Sequence, residues 1–109
     1  MMSEEPIRRV AGLDRLIHEP ARMAIVTILS TVEKADFLFL LHHTGLTRGN
    51  LSAHLTRLEA AGYIRVEKTY RGKVPQTLIS LTEEGRTAFE MYCRQLKAFV
   101  NSLPEQKNE

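Results

Sequence analysis

Residues 46–62 read LTRGNLSAHLTRLEAAG and run directly into residues 63–82, YIRVEKTYRGKVPQTLISLT. With Thr47 as the cap, Leu51, Leu55 and Leu58 fall on one face of a helix over residues 47–61. Arg48, Gly49, Asn50, Ser52, Ala53, Thr56 and Arg57 then occupy the open side or the N-terminal turn. Gly62 suits the position just past the helix end. After it the apolar period changes from helical to strand-like. Ile64 and Val66 alternate with Arg65 and Glu67, and Thr77, Ile79 and Leu81 alternate on the return, across a turn at Gly72. The spacing predicts a helix followed by a two-stranded hairpin over residues 63–81, with Lys68, Arg71 and Lys73 around its tip.

Outward from that unit the pattern stays mostly helical. Ile7, Val10, Leu13 and Ile17 recur at helical spacing and predict an N-terminal helix over residues 5–17, broken at Glu19 by Pro20. Pro20 opens the next helix, with Ala24, Ile25, Ile28 and Leu29 as its inward stripe. Glu33-Lys34-Ala35 reads as a link or brief edge strand, and Asp36 as the cap of a helix from Phe37 to His43 with Phe37, Leu40 and Leu41 facing in. Thr44-Gly45-Leu46 is a tight turn. Thr82 caps a last helix over residues 82–103, and Pro104 to Glu109 read as a frayed tail. Residues 20–62 form the helical centre of one domain spanning residues 1–109.

Composition narrows the function. The chain has 109 residues, 43% hydrophobic and 26% charged, which suits one soluble domain with a modest core. No apolar run approaches the roughly 18 residues of a membrane span. The start, MMSEEPIRRV, lacks the apolar stretch of a secretion signal. The single Cys93 excludes an intrachain disulfide, so a cytoplasmic location is expected. Net charge is only +2, yet Tyr63 to Leu81 holds Arg65, Lys68, Arg71 and Lys73 against Glu67 alone. A concentrated basic patch matters more to a polyanion than the average charge.

The open face of the 47–61 helix has the chemistry of a DNA reader. Arg48 can pair with guanine O6/N7 or reach a phosphate, and Asn50 can pair with adenine N6/N7. Thr47, Ser52 and Thr56 can donate to phosphates, and Arg57 suits a phosphate further along. Gly49 and Ala53 allow close approach, while His54 fits a half-buried packing role. The cations at the hairpin tip suit a minor groove, with Arg71 as the inserted residue; Tyr70 can stack or pack. The fold class is therefore α+β, mostly helical: a winged helix-turn-helix with a two-stranded wing and terminal dimerisation helices.

Phe89, Tyr92, Leu96, Phe99 and Leu103 repeat at heptad-like spacing over about two heptads. With Ile7, Val10 and Ile17 they are expected to form a two-fold interface, which implies a pseudo-palindromic operator.

The runs HEPARMAIVTIL, ADFLFLLHHTGLTRGNLSAHLTRLEAAGYI and LTEEGRTAFE, with the hairpin between the last two, resemble winged-helix regulators related to the MarR and ArsR groups. The resemblance covers about residues 13–95 and is closest to short, stand-alone members. It implies a homodimeric DNA-binding repressor or activator, with contacts at Arg48, Asn50, Ser52, Ala53, Arg71 and Lys73. Ala53 departs from the Arg that many relatives carry before the His-Leu pair.

His42 and His43 are adjacent and point to different helix faces, so no metal site and no cofactor is expected. No phosphate loop, nucleophile elbow or paired-acid motif suggests an enzyme. Cys93 reads as a packed thiol or a redox switch. Two alternatives remain open: a winged-helix protein-interaction module, and a ligand-responsive regulator with an effector pocket at the dimer interface.

Overall fold

A computed structural model of the chain describes residues 4–105. The element order is α1 (Glu5–Ala11), α2 (Pro20–Ser30), β1 (Ala35–Asp36), α3 (Phe37–Thr44), α4 (Arg48–Ala60), β2 (Ile64–Arg71), β3 (Val74–Leu81) and α5 (Glu83–Ser102). The expected caps hold three of these starts. Asp36 Oδ1 accepts from Phe39 N at 2.7 Å, Thr47 Oγ1 from Asn50 N at 3.1 Å and Thr82 Oγ1 from Gly85 N at 3.0 Å. Of the tail expected from Pro104 to Glu109, residues 106–109 lie outside the described range.

The core stacks the inner faces of α2, α3 and α4 against a small antiparallel sheet. Ile25, Val26, Leu29, Leu40, Leu51, Leu55, Leu58, Ile64 and Ile79 form its centre. The leucine stripe of α4 is buried as expected. In α2 the inward stripe is Arg22, Ile25, Val26 and Leu29; Ala24 faces solvent and Ile28 is half-buried, a correction to the expected register.

The brief edge strand read near Ala35 forms at Ala35–Asp36, which pair with Ile79 and Leu78 and give a three-stranded sheet in the order β1-β3-β2. Two further expectations change. The first helix stops at Ala11 rather than Ile17. Asp14 ends it by turning the chain: its Oδ1 accepts from Leu16 N at 2.9 Å and Ile17 N at 3.1 Å, a local alternative to helical bonding. Ile17 and Tyr92 are only 0% and 1% exposed and, with Leu13, form a second cluster inside the protomer. They lie within the chain's own packing and not on an open seam.

The sheet meets α5 through a compact knot. Thr82 N donates to Tyr63 O at 3.1 Å, and Thr82 Oγ1 donates to Gly62 O at 2.6 Å. Tyr63 in turn donates its hydroxyl to Asp14 Oδ2 at 2.7 Å. Burial, then that hydrogen bond, pushes its pKa up to about 12. Gly85 lies so close to this knot that a Cβ there would sit 2.0 Å from Tyr63 O. Alanine usually favours a helix by up to about 1 kcal/mol over glycine. Here the clash is with backbone, so the sign reverses. Gly85→Ala is expected to destabilise by about 1–3 kcal/mol in denaturant unfolding; unchanged or raised stability would contradict the close approach.

The molecule is extended, 63 × 32 × 22 Å. Its radius of gyration is 16.8 Å, against about 13 Å for a compact chain of this length.

Candidate nucleic-acid interface

α4 and the wing, β2 with β3, form the two walls of one surface. Arg48, Gly49, Asn50, Ser52, Ala53, Thr56 and Arg57 are all exposed on α4, as the leucine spacing requires. The space above Gly49 is open, so nothing within the protein dictates its small size. Thr47 keeps its own hydroxyl proton free while it caps the helix. Thr56 does not: its Oγ1 donates to Ser52 O at 2.9 Å, which uses the proton expected for a phosphate. His54 is half-buried, in keeping with a packing role.

On the wing, Lys68, Arg71 and Lys73 are exposed. Arg71 pairs with Val74, leaving a two-residue turn of Gly72 and Lys73. Gly72 has φ 65°, and no non-glycine residue described has positive φ. A glycine first and a conventional second residue is the turn whose twist suits a tight hairpin. The one acid of the wing is already paired: Glu67 accepts from Lys34 Nζ at 3.0 Å. Among the described residues no carboxylate lies within 4.0 Å of a charged nitrogen of Arg48, Arg57, Lys68, Arg71 or Lys73. Five cations thus face solvent with no internal partner, an arrangement that favours a polyanion.

Two hollows separate the walls. One of about 310 Å³ lies between Ser52, Leu55, Thr56 and Glu59 of α4 and Val66, Lys68 and Thr77 of the wing. The other, about 280 Å³, is bordered by Asp36, Leu38, Arg48 and Pro75.

Behind α4 sits a polar clamp that sequence reading missed. Arg22 is 8% exposed; its Nε donates to Leu16 O at 2.5 Å, and its Nη1 lies 3.1 Å from His54 Nδ1. Glu19 accepts from Ala21 N and Arg22 N at the start of α2, and its Oε2 is 3.8 Å from Arg22 Nη1 and 3.7 Å from His54 Nε2. Arg22 has only donors, so His54 Nδ1 is the acceptor of this pair. The clamp fixes α4 to the linker that follows α1. Its signal was present in the spacing, since Arg22 stands three before Ile25 and seven before Leu29 on the buried stripe.

Among the described residues no group of three or more His, Cys, Asp or Glu side chains could hold a metal ion. No helix of the described residues is long and apolar enough to cross a membrane. Cys93 is a half-buried free thiol.

A helix presented over a tight turn, flanked by a cationic hairpin, defines a winged-helix DNA-binding protein. The chain belongs to that family: residues 21–100 match the winged helix DNA-binding domain. An uncharacterized protein of Methanocaldococcus jannaschii is 34% identical over 79 residues, which span 72% of this chain and 85% of that protein. The structure of a transcriptional regulator homologue from Pyrococcus horikoshii OT3 superposes with a TM-score of 0.83 at 26% identity, covering 93% of this chain and 99% of that one. A MarR-like transcription regulator from Bacillus cereus shares the fold, with a TM-score of 0.65 at 19% identity over 90% of this chain and 73% of its own. The chain is thus a winged-helix, DNA-binding transcriptional regulator.

Proposed function

We propose that two copies of this chain bind a two-fold symmetric operator, each laying α4 in the major groove and its wing along the adjacent minor groove and backbone. The observation that carries this reading is the surface itself. Its polar helix face and wing hold five cations that pair with no carboxylate among the described residues, whereas a protein-interaction face would be apolar or acidic. Arg48 and Asn50, in the first turn of α4, are assigned to base edges. Thr47, Ser52, Arg57, Lys68 and Lys73 are assigned to the backbone, and Arg71 to the minor groove. Thr56 takes a phosphate only as an acceptor of a water-mediated bond, because its proton is spent.

The dimer reading draws on the arm. Ile7 and Val10 of α1 and Met91, Val100 and Leu103 on or just beyond α5 are exposed apolar side chains. Phe89, Leu96 and Phe99 are half-buried and border the same arm. A two-fold partner would cover the part of this surface that holds Val100 and Leu103, with Met91 on the opposite side of α5, and set the half-sites about 34–36 Å apart, or a multiple of that.

The test is binding to mixed-sequence and genomic-promoter duplexes across a salt series, with selection of the tightest sequences. The expected outcome is a steep negative salt dependence and a selected sequence with two-fold symmetry. Arg48→Ala should weaken the selected site by about 1–3 kcal/mol while sparing mixed sequence. Lys73→Ala should weaken both alike. Equal losses for Arg48→Ala on the two duplexes would remove its base-reading role, and no salt-dependent binding by the wild-type chain would remove the DNA reading.

A further inference from the structure

The exposed large apolar side chains fall into three groups, and the arm accounts for only one of them. Leu38 and Phe39 on α3 form the second. The third is at the wing tip, where Tyr70 is 70% and Val74 65% exposed. The core makes no demand on either. Its contribution from the hairpin ends with Ile64, the half-buried Val66 and Ile79. A ring of this size left in water gives up the burial that makes aromatic residues valuable in a fold.

The strand register says which way Tyr70 faces. It pairs with Pro75, Lys68 with Thr77, and Val66 with Ile79. Alternation puts all six on one side of the hairpin. The inner end of that side is core, and its middle, Lys68 and Thr77, forms the wing wall of the groove opposite Ser52 and Thr56. Tyr70 and Pro75 continue the same wall outward. Arg71 and Val74 belong to the reverse side.

Resting on the DNA reading above, we infer that Tyr70, backed by Pro75, lies against the deoxyribose wall of the minor groove. The wing thereby grips through an apolar contact as well as through charge. A duplex seated on the open face of α4 meets this side of the wing first. Lys68, two residues inward, neutralises a phosphate, and the ring covers the sugar beside it. The flanking charge selects the occupant: Lys68 on the same side of the hairpin, and Arg71 and Lys73 at its tip, have no acid partner among the described residues, which suits a polyanion. Pro75 supports this in two ways. It gives the phenol a flat, rigid neighbour, and it removes an N–H from β3 where β1 no longer covers that edge, so the wing resists pairing with another strand.

Charge and apolar contact separate in a salt series. Tyr70→Ser should weaken binding to a mixed-sequence duplex about tenfold, the effect of uncovering about 55 Å² of apolar surface. The slope of log affinity against log salt should stay at the wild-type value. Lys73→Ala, by contrast, should lower the slope by about 0.9. Tyr70→Phe should bind as wild type does, since the ring makes the contact. The chain has no tryptophan, so Tyr70→Trp gives a single indole reporter. Its emission should shift to the blue and resist acrylamide when the duplex is saturated. Wild-type affinity for Tyr70→Ser, a loss accompanied by a lower slope, or indole emission unmoved at saturation would each overturn the inference. So would a fall in oligomeric mass with DNA affinity intact, which would make the tip a contact between copies. If the wild-type chain binds and Tyr70 proves silent, only this inference fails; if the wild-type chain binds no DNA, the reading beneath it fails too.

Discussion

Tyr92→Ala is expected to lower stability by about 3–5 kcal/mol, the usual result of truncating a buried aromatic. Among the described residues Tyr92 is the largest fully buried side chain, and it packs with Leu13 and Ile17 of the linker and with Ala88 and Phe89 of α5. Its hydroxyl lies 2.7 Å from His18 Nδ1 and donates to Met23 Sδ at 3.3 Å, so it also joins the start of α2 to the arm. Both bonds form together when His18 carries a proton on Nδ1. Burial raises the Tyr92 pKa, which keeps the phenol neutral as that donor role requires. Tyr92→Phe isolates the polar part and should lose only about 0.5–1.5 kcal/mol, because His18 is exposed and water can replace the lost partner. The measurement is denaturant unfolding at several protomer concentrations. A residue on a two-fold seam would show its effect through assembly, so the loss would vary with concentration. A residue inside the protomer shows the same loss at every concentration, which is the expected result. A Tyr92→Ala loss below 1 kcal/mol, or one confined to dilute protein, would return Tyr92 to the seam.

The contrast between Tyr92 and its neighbours explains what the sequence could reveal. Capping is local chemistry, so Asp36, Thr47 and Thr82 were legible from their own neighbourhoods. The leucine stripe of α4 and the alternation of β2 were legible because one buried face dictates one period. The first segment misled for an instructive reason. Leu13 and Ile17 stand one helical turn apart and are both buried, yet Asp14 buries them through a turn. Spacing detected the burial and assigned the wrong backbone to it. The seam on α5 misled differently. A heptad pattern identifies apolar positions without stating which neighbour covers them, and α5 has two: its own domain near Tyr92, and open surface near Val100. The clamp of Arg22, His54 and Glu19 escaped because the charge on the inward stripe depends not only on Glu19 three residues away but also on partners 6 and 32 residues away. For the interface, sequence identified the exposed residues of α4 and the cations of the wing. What needed coordinates was the state of each group: the spent proton of Thr56, the pairing of Glu67, and the side of the wing on which Tyr70 lies.

Val100→Glu is expected to have the largest effect on function while leaving the fold intact. Val100 is 56% exposed near the end of α5, next to a shallow apolar hollow lined by Leu96, Lys97 and Asn101. At 20 residues α5 is about 30 Å long, and Val100 and Leu103 at its far end are exposed. On the proposed two-fold axis, each protomer would bring a carboxylate into the apolar contact it makes with its partner. Two unpaired charges removed from water together cost more than such an interface returns. Light scattering should give the mass of two chains for the wild type and of one for the variant, with unchanged circular dichroism. The consequence for DNA follows from effective concentration. Once one protomer is bound, its partner samples the second half-site at high local concentration, so joining them strengthens binding by about 10²–10⁴ over a single half-site. Affinity of Val100→Glu for the symmetric operator should fall by that factor, while mixed-sequence binding per protomer changes little. Val100→Leu, which keeps the face apolar, should retain both mass and affinity. If Val100→Glu keeps the mass of two chains, the partner contact lies elsewhere; if it becomes a single chain yet holds the operator as tightly as before, each winged helix reads its site alone and the operator needs no symmetry.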